Sequence, residues 1–195
     1  MRGKFIVFEG LDGSGITTQA TLLRNFLIAK KDVVLTKEPT DGLIGGMIKS
    51  SLRKEWRINP TALQMLFAAD RSHHLESEIE PSLKKGKYVV CDRYVLSSLA
   101  YGGLEVSMQI LKQLNANFRK PDLVIFIDTQ PGICIERMKK ARPHVELFEE
   151  VHKLEQIRKN FLSLKGFFPD TITIDGNRAP EDVLNDVKKV VGKMA

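Results

Sequence analysis

Five short runs along the chain are apolar and rich in β-branched residues: Phe5 to Phe8, Val33 to Thr36, Tyr88 to Cys91, Leu123 to Ile127 and Thr171 to Ile174. The first, third and fourth are apolar throughout instead of at every second residue, the pattern of strands covered on both faces of a parallel sheet. Between the runs the spacing becomes helical. Residues Thr17 to Lys31 put Leu22, Leu23, Phe26 and Leu27 on one predicted face, and Asn59-Pro60 predicts a helix start, an N-cap followed by proline in the first turn. That helix carries Leu63, Leu66 and Phe67, and a last helix is expected from Pro180, after the turn Asp175-Gly176-Asn177. From Glu136 to Glu155 apolar residues thin out around the breaker pair Arg142-Pro143, which fits a helical flap or a solvated surface helix. With no internal repeat and no linker, the alternation predicts an α/β fold: a five-stranded parallel sheet flanked by helices, one domain over residues 1–195 with a short helical lid around 137–150.

Composition narrows this only slightly. The 195 residues suit one core, and the net charge of +6 favours anionic partners without separating nucleotides from nucleic acids. The two cysteines, Cys91 and Cys134, sit in apolar stretches and are expected to be buried thiols. The N-terminus runs straight into the first strand without a signal region, and no segment has the length of a membrane span. A cytoplasmic protein with no membrane and no nucleic-acid partner is expected.

The chemistry begins after the first strand. Gly10-Leu11-Asp12-Gly13-Ser14-Gly15-Ile16-Thr17-Thr18 joins strand to helix, the context in which curled backbone N–H groups and a helix N-terminus hold a phosphate. Thr17 stands where a magnesium-ligating hydroxyl belongs. The pattern G-x-x-x-x-G-K-[ST] requires lysine before it, and Ile16 offers neither charge nor donor. Glycine-rich turns of this kind also serve simple backbone packing, so the rest of the chain has to decide.

At the end of the third strand, Asp92 is placed to hold magnesium beside Thr17, and the fork of Arg93 suits a phosphate. Glu38-Pro39 at the exit of the second strand reads as turn chemistry. Phe67 and Arg71 share a helix face, fit either for a base or for a core aromatic beside a solvated arginine. His73-His74 read as surface residues, since no ligand spacing completes a metal site. Arg137, Lys139, Lys140 and Arg142 form a basic face that, beside a phosphate loop, becomes a source of cations.

Taken in order, these stretches resemble the thymidylate kinase family over nearly the whole chain: Phe8 to Gly15, Lys37-Glu38-Pro39-Thr40, Leu66-Phe67-Ala68-Ala69-Asp70-Arg71, and Asp92-Arg93-Tyr94 through Tyr101. The resemblance implies a P-loop kinase that transfers the ATP γ-phosphoryl group to dTMP with Mg2+, and a homodimer. It implies that Phe67 stacks on thymine, Arg71 bonds its edge and Ser98 approaches it. Arg93 would bind the dTMP phosphate with Lys49, Asp12 would lie near the sugar hydroxyl, and Tyr101 would crowd the 2′ position. Glu38 and Asp92 would organise magnesium and the acceptor phosphate. ATP would lie along Gly10, Asp12, Gly13, Ser14, Gly15, Ile16, Thr17 and Thr18, with Arg178 beside the adenine. Gly13 resembles the branch whose lid supplies the catalytic arginine, for which Arg137 and Arg142 are candidates. Ile16 is the departure from the family, and it predicts that nucleotide binding survives better than transfer.

Overall fold

The computed structural model describes residues 3–141 and 148–194. Its strands are β1 (Lys4–Gly10), β2 (Val33–Lys37), β3 (Tyr88–Asp92), β4 (Leu123–Asp128) and β5 (Thr171–Asp175). Each expected run is a strand, and each observed strand extends one or two residues further at its carboxyl end, where the functional residues begin. The sheet is parallel in the order β2-β3-β1-β4-β5. The chain therefore leaves β1 first toward one side of the sheet and later returns on the other. That places a crevice at the carboxyl end of β1, where ligands bind in open α/β sheets.

The helices are α1 (Ile16–Leu27), α2 (Leu43–Leu52), α3 (Pro60–His74), α4 (Glu80–Lys84), α5 (Val95–Gly102), α6 (Met108–Asn115), α7 (Pro131–Ala141), α8 (Phe148–Ser163) and α9 (Pro180–Gly192). Successive side chains of a strand point to opposite faces, and β1 shows the result. Phe5 and Val7 enter one core with Leu99 of α5 and Phe161 of α8, whereas Ile6 and Phe8 enter a second with Leu23 of α1 and Val187 of α9. Asn59 caps α3 as expected, its side chain accepting from the Thr61 N–H at 2.8 Å.

Two helical expectations change. α1 stops at Leu27, where Lys30 and Lys31 both donate to the Leu27 carbonyl and tighten the chain into a turn; Phe26 is 48% exposed. α3 also runs on through a π-helical turn (Leu75–Ile79) into α4. Pro81 has no N–H and its ring crowds the carbonyl four residues back, so a widened turn just before it removes the conflict. Residues 142–147 of the expected lid, Arg142 among them, lie outside the described residues. Among the described residues no helix is long and apolar enough to cross a membrane.

Candidate active site

The loop between β1 and α1 curls around its glycines. Gly13 has φ 78°, and a Cβ there would lie 2.4 Å from the Cys134 carbonyl oxygen; Gly15, with φ 99°, caps α1. Both positions need a residue that tolerates the left-handed region. Ser14 Oγ is buried inside the loop and has no hydrogen-bond partner among the described residues. Ile16 is 3% exposed and packs with Phe8, Leu23, Ile127 and Val183, so its side chain is part of the core behind the loop.

Beside the loop, the Thr17 hydroxyl donates to Asp92 Oδ2 at 2.5 Å, while Asp92 Oδ1 is buried with no partner among the described residues. Burial raises the Asp92 pKa, opposed by the Thr17 hydroxyl and the Arg93 charge. A carboxylate oxygen left without a donor next to a hydroxyl suits a hard cation held mainly by phosphate and water oxygens. Among the described residues no cluster of three or more His, Cys, Asp or Glu side chains makes an all-protein metal cage. A cleft of ≈ 560 Å³ runs from Thr17 and Asp92 along β2 toward His74 and Glu78.

Arg93 follows Asp92 with φ 70°, a left-handed conformation uncommon outside glycine. It is over-determined by its contacts. Nη1 donates to the Gly10 carbonyl at 2.9 Å and to Ser97 Oγ at 3.0 Å, Nη2 donates to Asp12 Oδ1 at 2.7 Å, and the guanidinium lies 5.3 Å from the Tyr101 ring centre. The Tyr101 hydroxyl in turn accepts from the Asp12 N–H at 2.8 Å. Behind this group is Glu9, fully buried at the end of β1, which accepts from the Tyr94 N–H at 3.0 Å and from the Ser97 hydroxyl at 2.5 Å. Burial pushes its pKa up to about 7 against the opposing hydrogen bond of Ser97 and charge of Arg93.

The two short motifs that looked weak alone lock together. Asp70 accepts from the Thr40 N–H at 2.8 Å and from its hydroxyl at 2.6 Å, tying the exit of β2 to α3. The next residue, Arg71, is 1% exposed and donates through Nε to Glu38 at 2.8 Å and through Nη2 to Ser98 at 3.0 Å, with Nη1 on Asn115. Of its five N–H donors these bonds leave capacity for a ligand only at the end of the fork. Both Glu38 oxygens are engaged at this edge of the site, one by Arg71 and the other by His74 Nδ1 at 3.1 Å.

His74 corrects the surface reading of the histidine pair. It is 2% exposed, between Glu38, Glu78 (3.1 Å) and the Thr36 hydroxyl (2.7 Å), whereas His73 is exposed. Burial opposes its charge, but the two carboxylates outweigh that and raise its pKa. Adjacent helical residues point in different directions, so only one of the pair faces β2.

A cavity of ≈ 230 Å³ opens between α3 and α5 and brings together Asp12, Phe67, Arg71, Arg93, Ser98 and Tyr101. Glu38, Gln64 and Lys153 also line it. Lys49 does not; its ammonium is paired with Asp41, which also binds Lys37 at 3.2 Å. A smaller cavity of ≈ 110 Å³ on the other side of the loop is lined by Ser14, Gly15, Thr18, Arg137, Gly176 and Arg178. Arg137, expected with Arg142 to serve as a lid arginine, instead donates to the carbonyls of Ser14 at 3.2 Å and Gly176 at 3.0 Å, clamping the loop to the turn after β5. Arg178 is turned to Asp186 at 2.7 Å.

Sequence reasoning missed Glu9, Gln64, Ser97, Asn115 and Lys153. Glu9 alone carried a signal, as an acid inside an otherwise apolar strand.

The thymidylate kinase family model matches residues 8–187. A probable thymidylate kinase of Pyrococcus abyssi is 41% identical over 199 residues, covering 98% of this chain and 97% of the relative. A probable thymidylate kinase of Pyrococcus horikoshii is 39% identical, covering 98% and 97%. The thymidylate kinase of Caldicellulosiruptor saccharolyticus is 36% identical, again covering 98% and 97%.

Proposed function

The chain belongs to the thymidylate kinase family, and we propose that it transfers the γ-phosphoryl group of ATP to dTMP, giving dTDP and ADP. The observation that carries this reading is the ≈ 230 Å³ cavity in which an aromatic face, a buried arginine fork and a phosphate-seeking arginine meet beside the glycine loop.

In this scheme Phe67 stacks on thymine, Arg71 donates to its edge beside Ser98, and Arg93 takes the acceptor phosphate once its fork turns from Asp12. Tyr101 and Asp12 bound the sugar. An oxygen of the dTMP phosphate attacks the γ-phosphorus, and the bond to the bridging oxygen of ADP breaks. That oxygen is largely deprotonated at neutral pH, so no strong general base is required. The obstacle is the repulsion of two anions, which positioning and cationic side chains reduce. Thr17 and Asp92 would hold Mg2+, whose bound charge neutralises the donor phosphates. Arg137, Gly176 and Arg178 would surround the donor nucleoside, while Lys49 would have to leave Asp41 to reach the acceptor phosphate. The family resemblance adds a homodimer in the cytoplasm.

A second reading, a nucleotide-binding protein impaired in transfer, is favoured by one observation: Ile16 is core, and no lysine stands in the loop. An ADP-release assay with Mg-ATP and a panel of monophosphates separates the two. Turnover selective for dTMP supports the kinase. If the protein binds Mg-ADP and dTMP but is inert until Ile16→Lys restores transfer, the second reading holds. If neither protein phosphorylates any monophosphate, the kinase assignment fails.

A further inference from the structure

One cation on the wall of the acceptor cavity has no task in the scheme above. Lys153, in the first half of α8, lines the cavity together with Asp12 and Arg93, and among the described residues that line it Lys153 is the one lysine. The packing of α8 fixes where it stands. Leu154, Ile157 and Phe161 enter the core with Leu99 of α5, and the Phe161 ring meets the Tyr101 ring edge-on at 6.1 Å. Asn160 sets the register of the two helices, donating from Nδ2 to the Ala100 carbonyl at 2.8 Å.

α5 starts where β3 ends, and α8 finishes shortly before β5 begins, so both helices run from the carboxyl edge of the sheet toward its amino edge. Seven residues make two turns, about 10 Å, and return to the same helix face. Two turns back from Asn160 is Lys153, and seven residues back from Ala100 is Arg93, at the mouth of α5. The contact at Asn160 therefore brings a lysine to the level of the arginine that seeks the acceptor phosphate. The charges of the site show what it meets there. The Arg71 fork is held by Glu38, Ser98 and Asn115, Arg93 shares its charge with Asp12, Lys49 is paired with Asp41 outside the cavity, and Ile16 leaves the loop without an ammonium. A dianionic phosphate would otherwise meet a single guanidinium, already shared with a carboxylate.

Resting on the reading of this cavity as the dTMP site, we propose that Lys153 is a second phosphate-binding residue, whose ammonium meets the acceptor phosphate from the α8 wall and shares its charge with Arg93. A lysine suits the task, because its compact charge on a flexible stem can follow the phosphate as it approaches the donor. The cation missing from the glycine loop is in this way offset on the acceptor side.

The test is isothermal titration of dTMP and of thymidine, which lacks the phosphate, into the wild-type protein, Lys153→Met and Lys153→Arg, with Mg-ADP affinity as the control for folding. Lys153→Met keeps the length of the stem and removes the charge. It should weaken dTMP about tenfold, the worth of one charge-assisted contact at a half-open site, while thymidine and Mg-ADP stay within about twofold. Lys153→Arg should bring dTMP back to within about threefold of the wild type. Added KCl should weaken dTMP less steeply in Lys153→Met than in the wild type, since one screened attraction is gone. An unchanged dTMP-to-thymidine ratio in Lys153→Met, whether both affinities hold or both fall together, would overturn the proposal by reducing Lys153 to a piece of the wall. A loss that Lys153→Arg does not recover would overturn it as well, because the charge would not be what matters. If the wild-type protein binds Mg-ADP but neither dTMP nor thymidine, the acceptor reading itself fails.

Discussion

Replacing Ile16 with lysine tests the least expected feature of the loop, because packing and catalysis should respond in opposite directions. Ile16 is 3% exposed among Phe8, Leu23, Ile127 and Val183. Its Cγ2 would lie 3.1 Å from a Cβ placed on Gly10, directly behind the loop. A lysine stem recovers part of the buried area, but the branched methyl is lost and the ammonium must pass forward into the loop. Full burial of an isoleucine contributes about 1.5–3 kcal/mol, so the free protein should lose about 1–2 kcal/mol. With ATP bound, the ammonium meets phosphate oxygens, and one preorganised donor of this kind is worth about 10²–10³ in turnover. Ile16→Lys should therefore melt lower than the parent without ligand, gain more from Mg-ADP, and release ADP from ATP and dTMP about 10²–10³ faster. Thermal unfolding with and without Mg-ADP, together with the coupled assay, measures both arms. An unchanged melting temperature would refute the packing argument. A turnover within threefold of the parent would refute the view that the missing cation limits transfer.

Glu9 titrates from 4.5 in the unfolded chain to about 7 in the fold, so the fold favours its protonated form. Its contribution is present in full below pH 4.5 and declines as the pH rises to about 7, by about 3 kcal/mol at ~1.4 kcal/mol per unit. Glu9→Gln should flatten stability-versus-pH curves from urea melts across that window, and an unaltered slope would show that another group carries it. His74 has the same sign: its raised pKa stabilises the fold below its unfolded value of 6.5, and the gain is lost as the pH rises through the folded pKa. Its imidazole should titrate above 6.5 by NMR; a midpoint at or below that value would contradict the arrangement between Glu38 and Glu78. Arg71→Met should destabilise the protein by about 3–5 kcal/mol, because Glu38 is left buried without its strongest partner. A loss under 1 kcal/mol in denaturant melts would show that His74 suffices for it.

The fold was legible because its signals are local. A continuous apolar run identifies a covered strand, and the glycines of 10–15 sit where strand meets helix whatever the rest of the chain does. The ends of elements were read less well: Lys31 was placed in α1 by periodicity alone, and the π turn before Pro81 leaves no trace in an apolar pattern. The site divides along the same line. Phe67, Arg71, Arg93 and Tyr101 were found because each sits in a motif, and the cavity gathers them. Their partners were not, since Glu38 is 33 residues from Arg71 and Asn115 is 44.

Pairings over such distances are decided by which helix face meets which strand exit, and a single sequence does not display that. The histidines make the point most sharply. Two identical neighbours were given one reading, yet α3 turns His74 into a carboxylate pair and His73 into solvent. The same consideration explains the exit of β2. Glu38 looked like a turn residue beside Pro39, and Thr40 carried no signal of its own, because their partners, Arg71 and Asp70, are adjacent only to each other. Once α3 is laid across the sheet, two adjacent pairs become two parallel ties that fix the helix in both register and rotation. Phe67, one turn earlier, is then presented to the cavity by bonds it does not make. The ring proposed to stack on thymine is thus positioned by the buried charges beside it, which is why breaking the Arg71–Glu38 pair should disturb dTMP binding even where the fold survives.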